Sequence, residues 1–190
     1  MNRIDEAVAS KAAGYIQNES PDLSWVYLEY TDDMGHRYGD SKQFYDAVEI
    51  MDKQVGRIWQ AIQYRMKNFD EDWQIYVTTD HGRDSSTGKG HGGQSDRERS
   101  TWIVTNAKGL NSYFQSGQSA IVDIMPSLIS FFDISIPRDQ QMEIDGIPLT
   151  GKLSATAAQA RYENGNIVIN WKAADRKSTR LNSSHRTGSR

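Results

Sequence analysis

The sequence predicts an α/β domain built around a largely parallel sheet with helices on both faces. Short aromatic or β-branched runs (residues 25–30, 73–79 and 101–105) alternate with segments of helical apolar spacing. The first two of those runs are followed at once by a polar loop containing glycine and histidine.

The elements follow in chain order. Residues 1–18 are polar and mildly amphipathic, with Ile4, Val8, Ala12 and Ile16 spaced by four, which predicts a helix and not an export signal. WVYLEY (25–30) predicts a buried strand and TDDMGHRYGD (31–40) a loop. From Ser41 to Lys67 the positions Phe44, Val48, Met51, Val55, Ile58, Ile62 and Met66 step by threes and fours, which predicts a long helix with Ser41 at its N-cap. WQIYVTT (73–79) predicts a second strand, residues 80–99 a loop with five glycines, and TWIVT (101–105) a third strand. Helical spacing returns at Ile121, Ile124, Met125, Leu128, Ile129 and Phe132, with Pro126 near enough to the start for a first turn.

The texture changes after Gly151. SATAAQA gives way to Asn164-Gly165 and the alternating run NIVINW (166–171). That run predicts a strand, either the first of a β-sandwich domain or one completing the main sheet. Residues 175–190 hold five Lys or Arg and one acid, show no periodicity, and read like a translated sequencing adapter, so they are set aside as a non-native tail. The whole chain of 190 residues carries a net charge of −3; without the tail, 17 basic and 24 acidic residues leave −7. This acidic balance argues against nucleic-acid binding through a basic face. No stretch approaches the roughly 18 apolar residues of a membrane span. With no cysteine, disulfides and thiolate metal sites are excluded, so any metal is held by His and carboxylates.

Outside the tail, which carries His185, there are three histidines: His36, His81 and His91, each bonded to a glycine in a polar loop. In open α/β sheets, loops after successive strands converge on one crevice, so the three can meet. Asp32 precedes His36 by four residues, and Asp80 adjoins His81. Imidazole and carboxylate suit zinc or a similar borderline metal. Five ligands exceed one tetrahedral zinc and point to two metals sharing a site, the arrangement used in phosphoryl transfer. Arg83, Lys89, Arg97 and Arg99 read as solvated loop charges. Asp33 reads as a turn residue, and Trp59, Tyr64, Phe131 and Phe132 as core packing.

DDMGHRYGD, VTTDHG and GHGGQSDRERSTWIVTN resemble, in order and spacing, the three metal-binding elements of the alkaline phosphatase superfamily, most closely its type I phosphodiesterase and nucleotide pyrophosphatase branch. IVDIMPSLISFFDISIP and IDGIPL resemble the segment closing that catalytic domain, so the resemblance covers residues 22–151. It implies an alkaline phosphatase-like fold and two zinc ions, with Asp32, His36 and His91 on one and Asp80 and His81 on the other. It also implies cleavage of phosphate mono- or diesters, such as nucleotides, through a covalent phospho-enzyme. In that family the nucleophilic Thr or Ser and a further Asp ligand lie nearer the N-terminus, and nothing before Asp22 offers that pattern. The expectation is therefore that residues 1–151 are the C-terminal part of a metal-dependent phosphodiesterase or phosphatase domain, incomplete at its N-terminus and inactive alone. Residues 152–174 are read as a linker with one strand, and the parent as exported. The competing expectations are a sulfatase or phosphoglycerate mutase-like enzyme of the same superfamily, or a non-catalytic metal-binding module.

Overall fold

The computed structural model describes residues 2–173, so the tail read at 175–190 lies outside the described residues. The chain divides into two compact units between Asn106 and Ala107. Each contains helix and strand, but the sheets are small. Among the described residues there are two, each of two antiparallel strands, in place of the largely parallel sheet that strand–helix alternation predicts.

The first unit is framed by two helices, α1 (Asn2–Glu19) and α3 (Lys42–Phe69). Both are where apolar spacing puts them. The buried stripe of α1 is displaced by one position, however: Asp5, Ala9, Ala13 and Ile16 are buried and Ile4 is 60% exposed. Ala9, Ala13 and Ile16 meet Ile58, Ala61 and Ile62 of α3, and Val26, Leu28, Trp59, Trp73 and Ile75 pack around them. Three of the six central residues are alanines and the other three isoleucines, and buried Gln54 of α3 reaches Asn2 and Glu6 of α1 beside them. Ser41 caps α3, its hydroxyl accepting from the Phe44 amide at 3.3 Å. Of the four aromatics read as core, Trp59 packs there, but Tyr64 and Phe132 lie at the surface.

WVYLEY is not a strand. Val26 and Leu28 turn inward while Trp25 and Tyr27 are exposed, the alternation of a strand, yet no ladder partner lies beside them among the described residues. The segment ends on α1 instead, where the buried Asp5 carboxylate accepts from the amides of Glu29 (3.0 Å) and Tyr30 (2.8 Å). Tyr30 then opens a helix, α2 (Tyr30–Tyr38), through the stretch predicted as a loop. Asp32 and Asp33 in its first turn and His36 and Arg37 in its last suit the helix dipole. Gly35, which suggested a loop, lies inside α2, and Gly39 ends it with φ of 63°.

β1 (Tyr76–Thr78) pairs with β2 (Ile103–Thr105), with Val77 opposite Val104. Both strands are shorter than predicted. The Asn106 side chain supplies the next pair of bonds, accepting from the Ile75 amide (2.9 Å) and donating to the Trp73 carbonyl (2.8 Å). The loop between them contains a short helix, α4 (Asp96–Arg99), closed by a capping box between Ser95 and Glu98.

In the second unit, α5 (Ser112–Gln115) precedes a 3₁₀ turn at Ile121–Asp123 that runs into α6 (Ile124–Phe131), with Pro126 in the first turn, as predicted; α7 (Arg138–Gln141) follows. Buried Asp123 accepts from the amides of Ala120 (2.7 Å) and Ile147 (2.8 Å). The Ser127 hydroxyl accepts from the Leu149 amide at 2.8 Å. These bonds hold IDGIPL against α6. SATAAQA, a segment without an assigned element in the sequence reading, forms most of β3 (Ala155–Glu163), which pairs with β4 (Asn166–Ala173). Asn164 (φ 50°) and Gly165 (φ 81°) form the two-residue turn between them, with the positive φ values that a type I′ hairpin needs. β4 therefore pairs with β3 and does not extend the β1–β2 sheet.

Candidate metal centre

The five predicted residues come from two places in the first unit, α2 and the loop between β1 and β2. Asp32 and His36 are four apart on α2, so they share a face, with His36 Nε2 3.2 Å from Asp32 Oδ2. His81 follows the end of β1 and His91 lies ten residues further along the loop.

The loop brings both imidazoles to α2. His91 Nε2 is 3.0 Å from His36 Nε2 and 3.8 Å from Asp32 Oδ1. The rings of His81 and His91 stack, with centroids 3.9 Å apart and planes 22° from parallel. One ligand atom from each of Asp32, His81 and His91 lies within 4.8 Å of the others. Asp80 stands at the edge, 64% exposed, with Oδ1 3.7 Å from His81 Nε2.

Three observations test whether this donor set fits a metal. Ligands about 2.0–2.1 Å from a tetrahedral zinc stand about 3.3 Å apart. The spacings of 3.0 and 3.2 Å at His36 Nε2 come close to that edge. Second, His81 Nδ1 lies 2.8 Å from the Gly82 carbonyl, which can only accept, so Nδ1 carries a proton there. The neutral ring then presents Nε2 as a lone pair, the arrangement usual for metal-ligating histidines. Third, two Nε2 atoms at 3.0 Å cannot both face each other as lone pairs without a proton or a cation between them. The set fits a borderline divalent ion.

A network of bonds fixes the loop. The Asp84 carboxylate accepts from the amides of Ser86 (3.0 Å), Thr87 (2.7 Å) and Gly90 (2.7 Å) and from the hydroxyls of Ser86 and Thr87. Those bonds, the Ser86 hydroxyl first, hold its pKa well below the ordinary carboxylate range. Arg97 donates to Asp40 at 2.6 Å and to the Asp84 carbonyl at 3.0 Å, joining α4 to the C-terminal end of α2. This ion pair lowers the Asp40 pKa. Gly82 lies against the Arg97 carbonyl, where a Cβ would collide.

Two readings of single residues change. Arg83 is not a solvated loop charge: it is 8% exposed and donates to Asp32. Asp33 is a helix residue, and its Oδ2 is buried with no hydrogen-bond partner among the described residues. Arg97 and Arg99 are tied to Asp40 and Asp96, and Lys89 is exposed. The sequence offered one signal for Arg83, its place two residues after His81 in the loop that carries His91. Charge alone did not separate it from its neighbours.

Asp32, His81 and His91, gathered beside the end of a strand, form a group that could hold a metal ion. The model of the family described as type I phosphodiesterase / nucleotide pyrophosphatase matches residues 2–127. The chain belongs to that family, a branch of the alkaline phosphatase superfamily, and the family match supports a phosphoester hydrolase. Comparison with curated proteins and with solved structures returns no match. No helix among the described residues is long and apolar enough to cross a membrane.

Proposed function

We propose that this chain carries the metal-holding part of a two-zinc phosphodiesterase or nucleotide pyrophosphatase. Asp32, His36 and His91 would hold one ion, Asp80 and His81 the other. The observation that carries the reading is the approach of His36 Nε2 to His91 Nε2 at 3.0 Å, with the Asp32 carboxylate beside both. When bound, such ions supply Lewis-acid activation of an oxygen nucleophile and offset charge on phosphoryl oxygens.

The chain's own residues do the rest. α2 presents Asp32 and His36 as one rigid pair, and the Gly82 carbonyl orients His81 by holding the Nδ1 proton. The Asp84 bonds keep the segment from His81 to His91 at fixed reach. Substrates of this reading are nucleotides or other small phosphodiesters. The attacking hydroxyl is assigned to no residue between 2 and 173.

The test is metal content and ligand binding of the purified chain. The reading expects about two zinc ions per chain by mass spectrometry, falling to about one in His81→Ala, and AMP binding that requires zinc. Retention of both ions in a His36→Ala, His91→Ala double variant, or AMP binding indifferent to zinc, would overturn it.

A further inference from the structure

We propose that Arg83 is a positioning residue for Asp32, holding its carboxylate in the orientation that presents it to the imidazoles of the metal centre. The proposal rests on the reading of Asp32 as a metal ligand.

Arg83 Nη2 donates to Asp32 Oδ1 at 2.7 Å and to the Asp32 main-chain carbonyl at 2.7 Å, and Nη1 donates to the Lys89 carbonyl at 3.2 Å. A guanidinium as buried as this one is stable only where its donors are matched, and Asp32 is the carboxylate that matches it. Asp32 Oδ1, held by Arg83, is also the oxygen 3.8 Å from His91 Nε2, and Oδ2 lies beside His36 Nε2 at 3.2 Å, so the one guanidinium bond sets how the carboxylate presents to both imidazoles. The same side chain links α2 to both ends of the loop segment that carries the other imidazoles, since residues 83 and 89 lie just inside His81 and His91. Gly35 completes the seat. Its α-carbon faces the guanidinium so closely that any Cβ would occupy the space of Arg83 Cζ, Nε and Nη2. A planar fork that serves three acceptors is not reproduced by an ammonium, so lysine is expected to serve only in part.

The experiment is zinc titration of the purified chain by calorimetry, with wild type, Arg83→Met, Arg83→Lys, Asp32→Asn and the Asp32→Asn, Arg83→Met pair. The expected result is at least a tenfold loss of affinity at the tighter site in Arg83→Met, a loss between that and wild type in Arg83→Lys, and less than a twofold further loss when Arg83→Met is added to Asp32→Asn. Unchanged zinc affinity in Arg83→Met, or the same tenfold loss in the Asp32→Asn background, overturns the proposal, because a role in folding alone would not depend on Asp32. If Arg83→Met does not fold, Arg83→Lys decides: a threefold or greater loss supports the role and wild-type affinity overturns it. A wild-type chain that binds no zinc overturns the proposed function and this role with it, whereas normal binding untouched by Arg83 removes this role alone.

Discussion

His36 and His91, 55 residues apart in sequence, bring their Nε2 atoms to 3.0 Å. One rides on a helix and the other on a loop, so the distance measures how well α2 and the β1–β2 loop are held together. Zinc affinity should therefore respond to either partner. His36→Ala and His91→Ala are each expected to weaken the first zinc by at least the roughly tenfold to hundredfold that loss of a supporting partner costs. The double variant should lose less than the product of the two, because both ligands serve one ion. Calorimetric titration of the four chains checks this, and independent, multiplicative losses would place the imidazoles on different ions.

Glycines 35 and 56 give opposite expectations on replacement by alanine. Both lie in helices, where alanine is favoured by roughly 0.5–1 kcal/mol. Nothing approaches within 4 Å of a Cβ built on Gly56, so Gly56→Ala should stabilise by that amount. At Gly35 the new methyl meets the Arg83 side chain, and overpacking of about 1–3 kcal/mol outweighs the propensity gain. Urea unfolding of the two variants reads the signs directly.

Asp5 should matter more than an acid in the first turn of a helix normally does. It is 3% exposed and accepts the amides of Glu29 and Tyr30, which otherwise lack a side-chain cap. Asp5→Ala removes the acceptor of both part-buried amides and is expected to cost about 1–3 kcal/mol in all. Asp5→Asn keeps an acceptor oxygen and should cost less. Chemical denaturation of both variants tests the order.

Stability should fall with acid through Glu71. The Arg65 guanidinium first, then the Trp73 and Ser20 side chains, hold the Glu71 carboxyl at about 2 against an ordinary 4.5. A depressed acid lends stability that is complete above pH 4.5 and fades as the pH falls from 4.5 towards 2. Glu71→Gln should flatten the pH dependence of the urea midpoint across that window while leaving the slope above it unchanged.

The long helices were legible because their apolar residues repeat at helical spacing over many turns, enough to survive a one-position error in the α1 stripe. WVYLEY misled because strand-like alternation records which side chains turn inward, not whether a neighbouring strand supplies hydrogen bonds. TDDMGHRYGD misled through Gly35, which reads as a helix breaker in isolation but gives room to a guanidinium 48 residues later in the chain. Asp32, His36, Asp80, His81 and His91 stood out by residue type and spacing. Arg83 did not, since burial decides whether an arginine is a surface charge or a structural cation, and burial depends on α2 being a helix. The fine structure of the sheet was no more legible, since the Asn106 amide that replaces a rung of the β1–β2 ladder looks in sequence like any loop asparagine.

The interval of four between Asp32 and His36 has a mechanical consequence. One residue inserted or deleted between them would swing one side chain about 100° around the helix axis relative to the other. The same change placed in the exposed stretch 22–25, ahead of the residues that pack on α1 and α3 and of the Glu29 and Tyr30 amides held by Asp5, is absorbed there and leaves the pair in step. Length variation among relatives should therefore collect on the N-terminal side of α2 and be shut out of the four-residue interval, a pattern that the helix alone enforces.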